Sequence, residues 1–383
     1  MTYYTREVAM PDVIIVGAGV VGAACAYYAT RAGLDVTVLD RGPVAGGTTG
    51  AGEGNVLVSD KEPGPELDLA VLSSRLWREL ARLGGFEYEA KGGLVVAETP
   101  ETFERLVALA AAQNLPHEAV PAAGLRALEP HLAAGLAGGV RYPQDAQVQP
   151  MLAAARLLRA AAAEVRLGVT VTGFIRSAGR VTGVRTSDGD LRAGAVVNAA
   201  GTWGGELAAQ AGVTLPVLPR RGFILVTEPL PEPLIRHKVY TAAYVTGVAS
   251  DSAGLETSAV VEGTPAGTVL IGASRERVGF DRTTSLPVLS RLAAQAVALF
   301  PALAAVRAIR SYCGFRPYCP DHLPVIGADP RAPGLYHACG HEGAGIGLAP
   351  ATGHLLAQTL TGGPPGLDLH PFRPDRFRSG EDR

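Results

Sequence analysis

Residues 13–40 read VIIVGAGVVGAACAYYATRAGLDVTVLD. Four apolar residues, Val13 to Val16, predict a strand buried on both faces. Gly17, Gly19 and Gly22 follow in the spacing G-x-G-x-x-G. An alanine-rich run to Arg31 predicts a helix, Gly33 ends it, and Val36 to Leu39 predicts a second strand closing on Asp40. Strand, glycine turn, helix, strand and acid, in this order, predict a unit that holds a dinucleotide. Gly17 permits the tight turn, Gly19 lets the backbone approach a pyrophosphate, and Gly22 lets helix and strand pack closely. Val20 opens the helix, whose free N–H groups and positive end suit phosphate. Asp40 lies 23 residues beyond Gly17, near the roughly 20 expected of a ribose-binding acid.

The rest of the chain bounds the reading. At 383 residues it has room for two or three domain-sized units and a large core. It is 47% apolar and 18% charged, a globular composition, and its net charge of −2 implies no nucleic-acid partner. No apolar run approaches the ~20 residues of a membrane span. The opening MTYYTREVAMPD lacks a basic-then-apolar leader pattern. The expectation is a cytoplasmic protein, with peripheral membrane contact left open. Cys25, Cys313, Cys319 and Cys339 form no C-x-x-C pair. The sequence HACGH at 337–341 gathers two histidines and a cysteine, but on a strand their side chains alternate faces, so no metal site is expected.

Beyond Asp40, the stretch RGPVAGGTTGAGEGNVLVSD predicts a long loop of glycines and small hydroxyls beside the helix N-terminus. Helices are expected at 66–82, 100–113, within 120–130, at 149–165, 286–300 and 348–360. A strand pair bent at Gly92-Gly93 is expected over 88–97, and a β-meander over 169–186. Buried strands are expected at 195–198 and 335–338, the first running into AAGTWGGEL. Segments 216–227, 238–246, 257–262 and 268–273 are rich in β-branched residues and predict an antiparallel sheet. A strand at 309–315 leads into a proline-rich loop, and the tail from Pro364 is expected to fray.

Two kinds of segment therefore interleave. Units of strand and helix occupy 11–62, 141–215 and 310–370. A second domain, inserted twice, takes 63–140 and 216–309. A cofactor touched by the first, middle and last thirds of the chain is long and firmly held, which favours FAD over NAD. The fold class expected is α/β: a Rossmann-like FAD-binding domain of the glutathione-reductase type, with an inserted α+β substrate domain built on an antiparallel sheet.

The segments GAGVVGAACAYYATRAG, LDRGPVAGGTTG, VVNAAGTW, GFRPYCPDHLPVIG and GHEGAGIGLAPATG span nearly the whole chain. Together they resemble the D-amino acid oxidase (DAO) superfamily of FAD-dependent amine oxidoreductases, which includes glycine oxidase, sarcosine oxidase and D-amino acid dehydrogenase. GAGEGNVLVSDKEPGPELDLA and the last loop are most similar to the flavin subunits of D-hydroxyproline dehydrogenase, opine oxidase and hydrogen cyanide synthase. The resemblance implies that Gly17, Gly19, Val20, Gly22 and Asp40 hold the nucleotide, with Arg41 beside the adenosine. It places Thr48, Thr49, Gly52 and Asn55 along the phosphates and ring, Val171 at the adenine, and Ala200, Gly201 and Trp203 at a second backbone approach. His341, Gly343, Ala344, Gly345, Ile346 and Gly347 would form the loop over the pyrimidine edge of the flavin. Backbone N–H groups at that helix start suit negative charge on the ring.

Arg316, in GFRP, matches the arginine that grips the substrate carboxylate. Tyr244 and Arg275, with Tyr240, fall on or near the expected substrate-domain strands and join it as candidates. Two departures from the family pattern bear on specificity. Gly343 stands where glycine oxidase carries an arginine, and Ser274 stands where monomeric sarcosine oxidase carries an oxygen-activating lysine. Cys313 lies near the position of covalent flavin attachment in sarcosine oxidases, though a structural cysteine with non-covalent FAD is the expectation. The activity implied is oxidation of the amine of an amino or imino acid to the imine, by hydride transfer to flavin. A dehydrogenase is favoured over an oxygen-using oxidase. The alternatives are that oxidase, or a flavin subunit active only beside electron-accepting partner subunits; a homo-oligomer is also open.

Overall fold

A computed structural model describes residues 10–248 and 250–377. The leader expectation on residues 1–9 lies outside them. The core of the first layer is the strand Val13–Val16, buried along its whole length. It pairs in parallel with Val36–Asp40 on one side and Ala195–Asn198 on the other. Leu335–Cys339 extends the sheet in parallel, Val325–Ala328 closes that edge antiparallel, and Glu164–Leu167 forms the opposite edge. A strand flanked on both sides and covered on both faces has to be uniformly apolar, and VIIV is.

Two glycines set the spacing of this layer. Gly17 has φ +122°, and a Cβ there would overlap the carbonyl oxygen of Ala199 on the neighbouring strand. A Cβ on Gly22 would overlap the carbonyl oxygen of Gly17. The helix Val20–Arg31 can therefore approach its own strand closely only with glycine at both places. Its alanine face packs on the last helix, Gly345–Leu360, and on Pro150–Ala161.

The second sheet has eight strands. Their order is 308–318, 218–227, 269–275, 256–263, 238–241, 93–97, 138–142, 118–121. All its pairings are antiparallel except Lys238–Thr241 with Gly93–Ala97. The helix Leu286–Leu299 covers one face around Phe223, Leu225 and Ile271. Strands 138–142 and 308–318 both belong to this sheet, and so run across the expected boundaries at 140 and 309. The fold is the expected mixture of a parallel dinucleotide-type sheet and an antiparallel second sheet.

Four local expectations are corrected. The segment 238–246 is a strand only to Thr241; Ala242–Val248 is a helix, so Tyr244 sits on a helical turn. The helix expected over 149–165 ends at Ala161, where Ala162 turns left-handed (φ +52°), and the next residues become the edge strand Glu164–Leu167. The strand pair expected over 88–97 is a single strand, Gly93–Ala97, because Gly92 has φ +78° and breaks the pleat. The tail is packed as far as Phe377: Phe372 is fully buried, and Arg376 bonds Asp321 at 2.6 Å. No helix among the described residues is long and apolar enough to cross a membrane.

Candidate active site

A cavity of about 400 Å³ runs between the two sheets. One end is floored by Gly17, Gly19 and Val20 and walled by Asp40, Arg41 and Val171. The other is walled by Glu53, Ile224, Tyr244, Arg316 and Gly343. Between them lie Thr48, Thr49, Gly52 and Asn55 from the glycine loop, and Ala200, Gly201 and Trp203 from the turn after Ala195–Asn198. The expected residues thus converge from strands far apart in sequence.

At the first end, binding groups are presented by backbone geometry. Asp40 Oδ2 accepts the N–H of Ala18 and Oδ1 the N–H of Gly42, each at 2.8 Å, which fixes the carboxylate at the strand end. Thr49 Oγ1 accepts the N–H of Val20 at 3.1 Å, pinning the glycine loop to the helix N-terminus. Thr48 Oγ1 and Thr202 Oγ1 both donate to the carbonyl of Phe315 at 2.7 Å, tying both loops to the second sheet. The Arg41 guanidinium stacks 4.5 Å over the Trp203 ring, which stacks in turn on Phe280.

At the second end, the groups are ions in the wall or buried behind it. Arg316 Nη1 donates to the Ser274 carbonyl at 2.8 Å and has no carboxylate partner among the described residues. A Cβ on Gly222 would fall on this guanidinium, so glycine there makes its berth. The Tyr244 ring is buried, packs edge-on to Tyr240, and carries Arg275 5.3 Å above it. Behind the wall, Lys238 Nζ bonds Glu262 at 2.6 Å and stands 3.6 Å from Glu53. Glu53 Oε2 accepts from Asn55 at 3.2 Å, while its Oε1 is buried without a partner among the described residues. Burial pushes the Glu53 carboxyl up, against the opposing pull of Lys238.

Not every expected residue lines this cleft. Gly22 is spent on helix–strand packing. Gly347, in the first turn of the last helix, packs against Asn55 and Val56 and does not line the cleft. Ala344 and Arg275 line a neighbouring cavity instead. His341 reaches the cleft as a neutral ring: burial pushes its pKa down to about 3, and Nε2 meets Thr352 Oγ1 at 2.9 Å. His337 points elsewhere, to Asp329 at 3.1 Å. Cys313 is half-buried with the apolar cluster around Phe223 and does not line the cleft. Glu53, Arg220 and the Lys238–Glu262 pair were missed. Glu53 could have been suspected as the acid set among the glycines of a loop read only for its backbone. Arg220, Lys238 and Glu262 lie on three different strands of the second sheet and leave no local signal.

The residues fit FAD. The cleft is long, its nucleotide end matches an AMP and pyrophosphate, and its far end is wide and closed by side chains of the second sheet. Residues 12–359 match the family model of the FAD-dependent oxidoreductases (DAO), and the chain belongs to that family. It is 32% identical over 418 residues to hydrogen cyanide synthase subunit HcnC of Pseudomonas protegens, with 96% of each chain covered. It is 31% identical to the glycine oxidase of Pseudomonas putida, covering 95% of this chain and 98% of that one. The crystal structure of glycine oxidase from Geobacillus kaustophilus superposes with a TM-score of 0.87 at 28% identity, over 96% of this chain and 99% of that one. The protein is an FAD-dependent oxidoreductase.

Proposed function

We propose that the protein oxidises the C–N bond of a small amino or imino acid and hands the electrons to an acceptor other than dioxygen. Arg316 carries this reading. A planar, permanently charged guanidinium with one backbone hydrogen bond and no carboxylate partner among the described residues suits a substrate carboxylate bound bidentately. FAD supplies the two-electron acceptor for such a substrate. The chain's own residues do the rest. Arg316 fixes the carboxylate and so the orientation of the α-carbon. Tyr244 and Ile224 shut out water, and the turn at Gly343 and Gly345 brings backbone to the pocket's edge. Non-covalent FAD fits the position of Cys313 outside the cleft.

The choice of acceptor rests on the lysines and Ser274. Ser274 Oγ accepts the N–H of Phe223 at 2.9 Å, within the sheet. Lys61 is held by Asp60 at 2.7 Å, Lys91 by the Gly263 carbonyl at 2.6 Å and Lys238 by Glu262, and none lines the cleft. The likeness to a protein named as a subunit supports electron transfer to a partner subunit.

Anaerobic mixing with sarcosine, glycine, D-proline, D-hydroxyproline and D-alanine tests the first half: at least one should bleach the flavin absorbance. Admitting air tests the second: the reduced protein should reoxidise over minutes. Bleaching neither by these nor by iminodiacetate or D-glutamate defeats amine oxidation; reoxidation as fast as reduction defeats the dehydrogenase. Arg316→Gln should weaken binding of the bleaching substrate by about 10²-fold, within the range for losing one partner of a buried charge pair, with flavin content kept.

A further inference from the structure

We propose that the cavity beside the cleft is a subsite for a second carboxylate, so that the substrate is an amine bearing two carboxylates. The inference rests on the amine-oxidising reading above and narrows its substrate class.

This second cavity, about 200 Å³, has room for part of a small organic acid and shares Tyr244, Arg316, Glu342 and Gly343 with the cleft. Its wall is crowded with charge, and most of that charge is internally matched. Lys61 sits 2.7 Å from Asp60 and 3.7 Å from Glu66. Arg220 lies 3.3 Å from Glu256 and 3.6 Å from Glu342, and His322 lies 2.8 Å from Glu342. Two cations are left over, Arg316 and Arg275. Arg275 is only 5% exposed and, among the described residues, makes neither a hydrogen bond nor an ion pair; its guanidinium lies over the Tyr244 ring and against Gly247, and the Glu256 opposite it on the next strand is taken by Arg220 and Ser250. A buried guanidinium without a counter-ion is costly. Burial and the nearby charge of Arg316 already push its pKa down to about 10.

The two unmatched arginines are adjacent by construction. The carbonyl that receives Arg316 Nη1 belongs to Ser274, the residue before Arg275. Tyr244 lines both cavities, so it stands at their junction. A substrate whose first carboxylate lies on Arg316 has a second cation within reach of its far end. That far carboxylate can sit on the nitrogen substituent, as in an iminodicarboxylic acid, or on the side chain, as in an acidic amino acid.

The test is a binding titration of the purified holoenzyme, followed by perturbation of the flavin spectrum. Iminodiacetate and D-glutamate are compared with sarcosine and D-alanine. The dicarboxylates should bind at least about 10-fold more tightly, and the better of the two tells where the second carboxylate sits. Arg275→Met should lower the dicarboxylate-to-monocarboxylate affinity ratio by about 10-fold, to near parity, and Arg275→Lys should restore part of it. Equal affinities in the unaltered protein overturn the proposal without any variant. A ratio unchanged in Arg275→Met overturns it too. Tight dicarboxylate binding with no bleaching by any amine would keep the subsite and defeat the amine-oxidising reading instead.

Discussion

Around Gly17, Gly19 and Asp40 the cleft wall is mostly backbone and small side chains, whereas around Arg316 it carries Glu53 and is backed by buried ions. The first end works through fixed N–H directions, a helix start and close packing. The second works through Glu53, Lys238, Glu262, Arg220, Arg275 and Arg316, whose charges have to be balanced inside the protein. The contrast suits the two tasks. A nucleotide end can be built from geometry that any side chain would spoil. A substrate end needs charge placed where one particular small molecule completes the balance.

The largest effect should come from spoiling the geometry. Gly22→Ala puts a methyl group onto the Gly17 carbonyl, which is backbone and cannot swing away. The helix start would have to lift from the strand, at a cost of about 3 kcal/mol or more. The expected outcome is a low flavin-to-protein ratio and a depressed melting temperature. Full flavin loading in this variant would show that the nucleotide end tolerates more slack than its packing suggests.

A smaller effect should come from unbalancing the charges. Glu262 bonds Lys238 at 2.6 Å, with both side chains fully buried. Glu262→Gln leaves that lysine with only Glu53, 3.6 Å away, and should cost about 1.5–3 kcal/mol. Glu53→Gln should cost less, about 1 kcal/mol, because Glu53 stands farther from Lys238, at 3.6 Å, burial disfavours its charged form, and the amide is isosteric. Denaturant midpoints of the two variants measure the difference. Equal costs would mean that Lys238 is shared evenly between the two acids.

The same contrast governs what could be read from the chain. The nucleotide end is legible because its parts are local: Gly17, Gly19, Gly22 and Asp40 fall within one unit of strand, helix and strand. The loop residues Thr48 and Thr49 and the turn at Gly201 and Trp203 follow, since each sits directly after a recognisable strand. The substrate end is non-local. Lys238 and Glu262 lie on strands paired through the sheet, and Arg220 meets Glu342 across more than a hundred residues. Arg316 was found through its motif, and its neighbour Arg275 only as a residue on an expected strand. Helix and strand were confused where β-branched composition misleads: VYTAAYVT at 239–246 reads as a strand, yet tertiary packing turns it helical after Thr241.

His341 stands between the two ends and offers the finest discrimination. It lies in the loop before the last helix, lines the cleft, and is kept neutral by burial rather than by an ion pair. Its folded pKa of about 3 is below the ordinary histidine value near 6.5. The unfolded chain therefore binds the proton more readily, and the stabilisation is complete above about pH 6.5 and lost progressively as the pH falls towards 3. The slope attributable to this ring is at most about 1.4 kcal/mol per pH unit. His341→Asn keeps a polar group near Thr352 and removes the titration. Its unfolding free energy, measured between pH 7 and pH 5, should fall less steeply than that of the unaltered protein. An unchanged slope would mean that water reaches the ring, and that the cleft is wetter at this turn than its packing implies.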